Sequence, residues 1–452
     1  MAGDPLLNAR MRGAAACAGP VLVTDLAHDG RGVARLEGKT VFIDDALPGE
    51  QVECSHLKRG RNFDEARLAR LVEPSPDRVE PRCAHFGVCG GCALQHLAPA
   101  RQLEFKQGQL LEALSRIGRV TAAEILPPLQ ARIWNYRRRA RLAARWVPKK
   151  QRTVVGFRER SAPYVADIKR CEVLESPVDS LIEPLSELLS SLELRNRIPQ
   201  IEVAVGDNAT ALLVRVLDPP GESDRERLEQ FADTHGVQIY LQPGGYETVT
   251  PMREGTPPLE YHLPEFDVVL EFRPNDFVQV NGELNRLMVA RAVQMLAPAP
   301  GEHVLDLFCG LGNFSLPLAR SGAHIVAVEG DPGLVERACA NARRNGLSNV
   351  EFFSADLSEE SVVEAAWARR QYDKILLDPP RAGAKEALPV VARSGASRVL
   401  YISCHPGSLA RDAGILVHEY GFTLRAAGVM DMFPHTAHVE SAALFERSHC
   451  SR

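Results

Sequence analysis

Hydrophobic and polar positions alternate in short runs near the start of the chain. VLVTDLA, GVARLEG and KTVFIDDAL each alternate, and Gly-containing turns at Asp29-Gly30 and Glu37-Gly38 separate them. A period of two is typical of strands with one buried face. The pattern predicts a small OB-like β-barrel of about five strands. We assign it to residues 17–78, behind a mobile tail at residues 1–16.

The pattern changes after a joint that contains Pro74, Pro76 and Pro81. Apolar residues then recur at helical spacing, which predicts a helix near residues 99–118 with a stripe that packs on the C-terminal domain. The stripe consists of Leu103, Leu110, Leu111, Leu114 and Ile117. The rest of the segment is mixed and rich in strand-like runs. We interpret residues 79–265 as a small central domain.

Apolar runs alternate with amphipathic stretches from residue 266 to residue 452. The runs are HVLDLF, HIVAVE, VEFFSAD, YDKILLD and RVLYIS. Strands that alternate with helices indicate an α/β fold with a doubly wound, Rossmann-like parallel sheet. FTLRAAGVMDM and HVESAALFE have little sequence between them, so we expect an antiparallel hairpin that closes the sheet.

Composition narrows the class of protein. The chain has 452 residues, of which 45% are hydrophobic and 25% charged, as in ordinary globular proteins. No apolar stretch of about 18 residues and no secretion signal occurs, so we expect a cytoplasmic protein without a membrane partner. Ten cysteines in a reducing compartment suggest metal binding or catalysis. The net charge is −5, yet Arg132 to Arg160 holds eleven Lys and Arg against one acid.

A glycine turn follows the first strand of the predicted sheet. HVLDL runs into Phe308-Cys309-Gly310-Leu311-Gly312-Asn313-Phe314, where bare backbone can approach a ligand. Glu329 ends the next strand, at the position of an acid that accepts ribose hydroxyls. Asp356 and Asp378 end the following two strands. The same arrangement would serve a dinucleotide, and the acids could instead cap helices.

Cys404 follows the strand RVLYIS at the same edge of the sheet, with Asp378 on the neighbouring strand. A thiolate there could add to C6 of a uracil and make C5 nucleophilic enough to accept a methyl group. A base must then remove the C5 proton, and Glu440, at the start of the last strand, is our candidate. A buried, inert cysteine remains the alternative on spacing alone.

The strings DLFCGLGNF, LLDPPR, SCHP and HTAHVE, with FVQVN upstream, resemble the RNA uracil-C5 methyltransferases, and among them the bacterial enzymes for 23S ribosomal RNA. The resemblance covers nearly the whole chain. It implies a class I methyltransferase fold, S-adenosylmethionine as cofactor, Cys404 as nucleophile and Glu440 as base. It also implies a set of residues around the cofactor or the reacting base, namely Gln279, Phe308, Asn313, Glu329, Asp356 and Asp378. The family usually has Asn after the nucleophile, where this chain has His405.

Other functions remain open beside this one. Asp378-Pro379-Pro380 also resembles the motif of amino-group methyltransferases, but Arg381 follows in place of an aromatic residue. A tRNA or another ribosomal site could be the target. A non-catalytic RNA-binding assembly protein would not need both Cys404 and Glu440, and a redox protein would leave the glycine turn unexplained.

Three cysteines lie close together in the central domain. Cys83, Cys89 and Cys92 follow the spacing C-x5-C-x2-C, and Cys171 is the best fourth ligand. Four thiolates suit either tetrahedral zinc or an iron-sulfur cube. The family resemblance implies a [4Fe-4S] cluster with a structural role.

Two regions are candidates for RNA contact. The barrel resembles a TRAM domain, and Lys58, Arg59, Arg61, Arg67 and Arg70 near its end could neutralise phosphates. Trp134 and Tyr136 lie among arginines, a mixture that suits stacking on unpaired bases. The alternative is a solvated charged face over core aromatics. We expect a monomer bound to 23S ribosomal RNA, with the target base flipped out of its stack.

Overall fold

The computed structural model describes residues 19–447. The tail expected at residues 1–16 lies outside this range. The chain divides into two compact units, of which the first comprises the chain up to Phe105 with Arg158–Tyr164 and Pro434–His438, and the second comprises the rest. This division differs from the domain boundaries at residues 78 and 265, which therefore stay predictions. No helix of the described part is long and apolar enough to cross a bilayer.

The first unit contains a closed five-stranded barrel, as the alternating runs predict. Its strands, in the order β1-β2-β3-β5-β4 around the barrel, are β1 (Val21–Leu26), β2 (Gly32–Leu36), β3 (Lys39–Asp44), β4 (Gln51–Arg59) and β5 (Phe63–Glu73). Inward side chains such as Val23, Ile43 and Val52 are fully buried and fill the interior. Closure removes the exposed strand edges that a sheet of this size would otherwise present.

Helix α1 (Pro99–Ala113) and the π-helical turn Leu114–Gly118 occupy the predicted helical stretch. The buried row of α1 differs from the predicted stripe, because it runs at four-residue spacing through Gln102, Lys106, Leu110 and Leu114. Ile117 is 56% exposed, so its place in the stripe was wrong. Two polar side chains therefore sit in the buried face of this helix, and both have specific partners.

The second unit contains a strand-rich part before its large sheet. A six-stranded sheet has the order β12-β11-β10-β9-β7-β8, and β13 and β14 form a separate hairpin. The elements are β6 (Glu124–Ile125), β7 (Arg139–Val147), β8 (Arg152–Gly156), α2 (Ile182–Ser191), β9 (Gln200–Val205), β10 (Thr210–Arg215), α3 (Glu222–His235), β11 (Val237–Gln242), β12 (Thr250–Pro251), β13 (Leu259–Leu263) and β14 (Val268–Phe272).

An eight-stranded sheet with the order β17-β16-β15-β18-β19-β21-β20-β6 follows, and all five predicted apolar runs lie in it. Its further elements are α4 (Gly282–Leu296), β15 (His303–Leu307), α5 (Ser315–Ala319), β16 (His324–Glu329), α6 (Pro332–Arg344), β17 (Val350–Ser354), β18 (Lys374–Leu377), α7 (Leu388–Arg393), β19 (Arg398–Ser403), α8 (Pro406–His418), β20 (Thr423–Met430) and β21 (Glu440–Glu446). The expected antiparallel hairpin is present as β20 and β21. The last strand, β21, inserts between β19 and β20.

Apolar side chains from both faces of this sheet form its core. Leu305, Leu377 and Tyr401 are fully buried on one face, in a cluster that also contains Leu110 and Leu114 of the helical stretch. This packing explains why the last turns of α1 belong to the second unit.

Candidate active site

Five of the predicted site residues meet at one edge of the large sheet. Strands β15, β16, β18 and β19 are parallel, so their carboxyl ends share an edge. Phe308, Asp378 and Cys404 each follow the end of a strand there, and Glu329 is the last residue of β16. Strand β21 runs antiparallel to β19, so its first residue, Glu440, lies at the same edge.

The register between β19 and β21 brings the thiol and the carboxyl together. Ser403 pairs with Ser441, and the Ser441 hydroxyl donates to the Ser403 carbonyl oxygen at 3.2 Å. Cys404 and Glu440 are the next residues on the two strands. Residues opposite each other in an antiparallel pair have Cα atoms about 4.5 to 5.5 Å apart. The side chains of Cys404 and Glu440 are therefore neighbours.

The electrostatics of this edge are dominated by burial and by acids that repel one another. Burial raises the pKa of Glu440 well above its usual range, and the charge of Asp378 adds to this. Burial, with a contribution from Glu329, raises the pKa of Asp378 to about 7. The pKa of the Cys404 thiol rises to about 11 because of burial and then of Glu440 and Asp378, against the opposing effect of Arg381. Without substrate and cofactor, the thiol is therefore neutral at physiological pH.

A hydrogen bond connects the glycine turn to Glu329. The Glu329 carboxylate accepts the N–H groups of Gly310 at 3.0 Å, Gly330 at 2.8 Å and Asp331 at 3.2 Å. Phe308 adopts a left-handed φ of 67°. This conformation is energetically unfavourable for a residue with a large side chain, and it turns the backbone at the end of β15. A carboxylate fixed in this way keeps lone pairs free to accept further hydroxyl donors.

The remaining predicted cofactor residues have other contacts. Asn313 exchanges two amide hydrogen bonds with Asn285, at 2.9 and 3.0 Å, and accepts the hydroxyl of Tyr261 at 3.1 Å. Asp356 is exposed, and hydrogen bonds from Ser358 lower its pKa. Gln279 is half-buried in the segment before α4. Their roles toward the cofactor stay predictions.

Asp306, one residue before the end of β15, is an acid that the sequence analysis missed. It is fully buried, and its Oδ2 accepts the Ser315 hydroxyl at 2.5 Å. Among the described residues, its Oδ1 has no hydrogen-bond partner. Burial raises its pKa to about 7, the Ser315 hydrogen bond opposes this, and the charges of Asp378 and Glu329 add to it. The sequence feature that could have identified it is the single acidic residue within the run HVLDLF.

Most of the basic side chains between Arg132 and Arg160 form ion pairs within the protein. Arg138 contacts Glu175 at 2.8 Å and Asp207 at 2.5 Å, and Arg141 contacts Glu202 at 3.0 Å. The other internal pairs of this segment described in the second unit are Arg132–Glu175, Arg132–Glu283, Arg139–Glu202, Lys150–Asp167 and Arg152–Asp167.

Of the two aromatic residues proposed to stack on RNA, one is too deeply buried to do so. Tyr136 is fully buried, so the interpretation that it stacks on RNA bases was wrong, whereas Trp134 is half-buried. The alternative of core aromatics under a solvated charged face holds for Tyr136, but Arg138 is itself buried beside its acidic partners.

The four candidate metal ligands fall in both compact units. Cys83, Cys89 and Cys92 are half-buried in the first unit, where the Gly91 N–H donates to Cys89 Sγ at 3.5 Å. Cys171 is buried in the second unit. Within residues 19–447, no group of three or more His, Cys, Asp or Glu side chains is arranged to hold a metal ion. The cluster therefore stays a prediction.

His405 replaces the expected Asn without loss of the local hydrogen bond. It is the N-cap residue of α8, and its Nδ1 accepts the Ser408 N–H at 3.1 Å. Asn is favoured at this position because its side-chain oxygen satisfies the same backbone donor. His405 does so with a ring nitrogen, which must be unprotonated to accept. The cap fixes the backbone directly after Cys404.

We expect His405→Asn to fold and react like the original chain, because it restores an amide cap. His405→Ala should lose about 1 kcal/mol of unfolding free energy, because the Ser408 N–H loses its partner. It should also slow methyl transfer, since Cys404 is the adjacent residue. Urea unfolding and initial rates of methyl transfer measure both effects. Equal stability of the Ala and Asn variants would contradict a capping role.

Comparisons with known proteins identify the family of this chain. The family model described as tRNA (Uracil-5-)-methyltransferase matches residues 135–448, and the TRAM domain model matches residues 20–55. The chain is 54% identical over 428 residues to 23S rRNA (uracil(1939)-C(5))-methyltransferase RlmD of Xylella fastidiosa, covering 94% of this chain and 96% of the relative. It is 51% identical, with the same coverage, to the protein of that name from Stenotrophomonas maltophilia.

A solved structure also resembles the chain over most of its length. The crystal structure of Pyrococcus abyssi tRNA (uracil-54, C5)-methyltransferase in complex with S-adenosyl-L-homocysteine matches with a TM-score of 0.73 and 25% identity. The match covers 94% of this chain and 99% of that one. With a family model that matches more than half of its residues, the chain belongs to the tRNA (uracil-5-)-methyltransferase family and carries an N-terminal TRAM domain.

Proposed function

We propose that this protein methylates C5 of a uracil in 23S ribosomal RNA, with S-adenosylmethionine as methyl donor and a covalent bond between Cys404 and C6 as the intermediate. The observation that carries the proposal is the pairing of Ser403 with Ser441, which makes Cys404 and Glu440 neighbours at the sheet edge. A nucleophile and a base that act on adjacent carbons of one ring must lie this close.

Each of the two groups has one role. The Cys404 thiolate adds to C6, and the electron pair of the C5–C6 bond moves toward C5 and the O4 oxygen. S-adenosylmethionine supplies the electrophilic methyl group that C5 accepts. Glu440 then removes the C5 proton, the double bond forms again, and the bond between C6 and Cys404 breaks. Arg381 favours the thiolate through its positive charge.

The chemistry of the sheet edge fits the cofactor. The Glu329 carboxylate is fixed by three backbone N–H groups and still has acceptor capacity for ribose hydroxyls. Ionisation of Asp378 or Glu440 would be favoured by a donor with a positively charged sulfur. Gln279, Phe308, Asn313 and Asp356 are proposed to complete the site, on the strength of the family resemblance.

The names of the relatives favour ribosomal RNA over tRNA. The Xylella and Stenotrophomonas proteins, named for uracil 1939 of 23S ribosomal RNA, are at least 51% identical to this chain, whereas the tRNA enzyme of known structure is 25% identical. We therefore propose the same uracil as target. In the barrel, Lys58, Arg59 and Arg61 are exposed at the tip of the β4–β5 hairpin beside Phe63, which is 43% exposed. Such a tip suits phosphates and an unstacked base.

A covalent trap tests the mechanism. Ribosomal RNA that contains 5-fluorouracil should form a stable protein–RNA adduct with the original chain and S-adenosylmethionine, because fluorine cannot leave as a proton. Cys404→Ala should form none, and gel electrophoresis under denaturing conditions measures both. Glu440→Gln should accumulate adduct even on ordinary RNA, because the amide cannot accept the C5 proton.

The matched control for Cys404 is Cys309→Ala, which removes a buried thiol in the glycine turn. Cys309 is buried inside the glycine turn, so we expect this variant still to form the adduct. Methyl transfer by Cys404→Ala at the original rate would overturn the covalent mechanism.

We further infer that Cys83, Cys89, Cys92 and Cys171 bind a [4Fe-4S] cluster. The spacing of the first three and the family resemblance support it, and the Gly91 N–H near Cys89 Sγ is the kind of donor that tunes a thiolate ligand. We expect the cluster to have a structural role. Zinc is the alternative with the same ligands.

Metal analysis after anaerobic purification separates these alternatives. We expect about four iron atoms and matching acid-labile sulfide per chain. Cys89→Ser should lose both, because a hydroxyl is a poor ligand for iron in such a cluster. Cys339→Ser, in helix α6, should retain them. Zinc without sulfide in the original chain would show that the iron-sulfur assignment is wrong.

A further inference from the structure

A buried ion pair lies beside the strand end that leads to Glu440. Lys106 of α1 is 1% exposed and Asp431 is 3% exposed, and Lys106 Nζ lies 2.6 Å from Asp431 Oδ1. The same ammonium donates to the carbonyl oxygen of Phe433 at 2.9 Å. Burial lowers the pKa of Lys106, and Asp431 opposes this.

A contribution to the stability of the fold does not by itself explain this ion pair. Removing two charges from water costs several kcal/mol each, and well-packed apolar residues often replace a buried ion pair without loss. The pair also places a charged side chain in the buried face of α1. A role in holding the neighbouring strand end in one position explains the presence of the pair better.

The pair lies at the end of β20. Strand β6 pairs with β20 at Ala426 and Ala427, and beyond them a single parallel bridge between Leu129 and Met430 is the strand-like pairing described on that side. Other groups satisfy its backbone there. The Gln107 side chain accepts the Val429 N–H at 3.2 Å, and Leu129 donates to Val429 and accepts from Asp431.

The fixed strand end lies directly opposite the base. Met430 pairs with Glu440, and Lys106 and Gln107 hold the residues on either side of Met430. Cys404 lies on β19, whose position depends on β18 and on the Ser403–Ser441 pair. A shift of the β20 end would therefore move Glu440 more than it moves Cys404.

We propose that Lys106 and Asp431 are positioning residues for proton removal, and that they fix the β20 end so that Glu440 lies within reach of the C5 proton of the adduct. The proposal rests on the covalent mechanism above. It assigns the pair to the second half of the reaction only, so adduct formation and adduct breakdown should respond differently.

The test uses the double variant Lys106→Met/Asp431→Leu, which removes both charges and leaves no buried ion unpaired. We expect it to fold and to form adduct on 5-fluorouracil RNA at nearly the original rate. Turnover on ordinary RNA should fall roughly 10- to 100-fold, since a misplacement of about 1 Å costs that much. Adduct should then accumulate on ordinary RNA.

An isotope effect distinguishes positioning from a general structural effect. On RNA with 5-deuterated uracil, the double variant should show a larger isotope effect on kcat than the original chain, because proton removal becomes slower than the other steps. Lys374→Met is the matched control. Lys374 pairs with Glu302 at 2.6 Å, at the start of β18 on the opposite edge of the sheet, and its loss should leave the isotope effect unchanged.

The outcomes are separable. Turnover of the double variant at the original rate, or equal losses in adduct formation and turnover without a changed isotope effect, would overturn the positioning role. If the original chain itself formed no adduct, the covalent mechanism would fail first. If the double variant did not fold, Gln107→Leu, which removes only the bond to the Val429 N–H, should show the same pattern more weakly, and an unchanged isotope effect there would count against the proposal.

Discussion

The proposed chemistry depends on the antiparallel pairing of β21 with β19, the last of the five parallel strands of the large sheet. Parallel strands place their carboxyl ends at a common edge, which gathers Phe308, Glu329, Asp378 and Cys404. A base opposite the thiol has to come from a strand that begins there. Strand β21 meets this condition because it inserts beside β19 in the reverse direction. A one-residue slip in its register would turn the Glu440 side chain to the other face of the sheet.

The acids at this edge form one coupled group. Asp306, Asp378 and Glu440 each have a pKa raised by burial and by neighbouring carboxylates. Repulsion of this kind is unfavourable in the absence of a cation, and it is relieved when a positively charged donor enters. Burial, and then Glu440 and Asp378, also raise the pKa of Cys404. We expect a positively charged donor to lower it, which would link cofactor binding to activation of the thiol.

The sequence predicted the strands of the sheet better than the contacts of the site. Apolar runs that end at Glu329, Asp378 and Ser403 identify buried parallel strands by local pattern alone, and shared strand direction then predicts that their ends meet. The pairing of Ser403 with Ser441 involves residues far apart in sequence, so no local pattern reveals the register. The helical stripe was misread for a similar reason. Lys106 is buried because the Asp431 carboxylate compensates its positive charge. A search for apolar periodicity does not identify a buried lysine.

A cross-link tests the β19–β21 register most directly. In Glu440→Cys, the new thiol should lie opposite Cys404 at a separation that a disulfide can bridge, since opposite residues have Cα atoms about 4.5 to 5.5 Å apart. Mild oxidation should then produce a disulfide between positions 404 and 440 that mass spectrometry identifies. Val439→Cys, whose side chain faces the other side of the strand, should give none. Cross-linking from position 439 but not from 440 would mean that the register, and with it the pairing of nucleophile and base, is wrong.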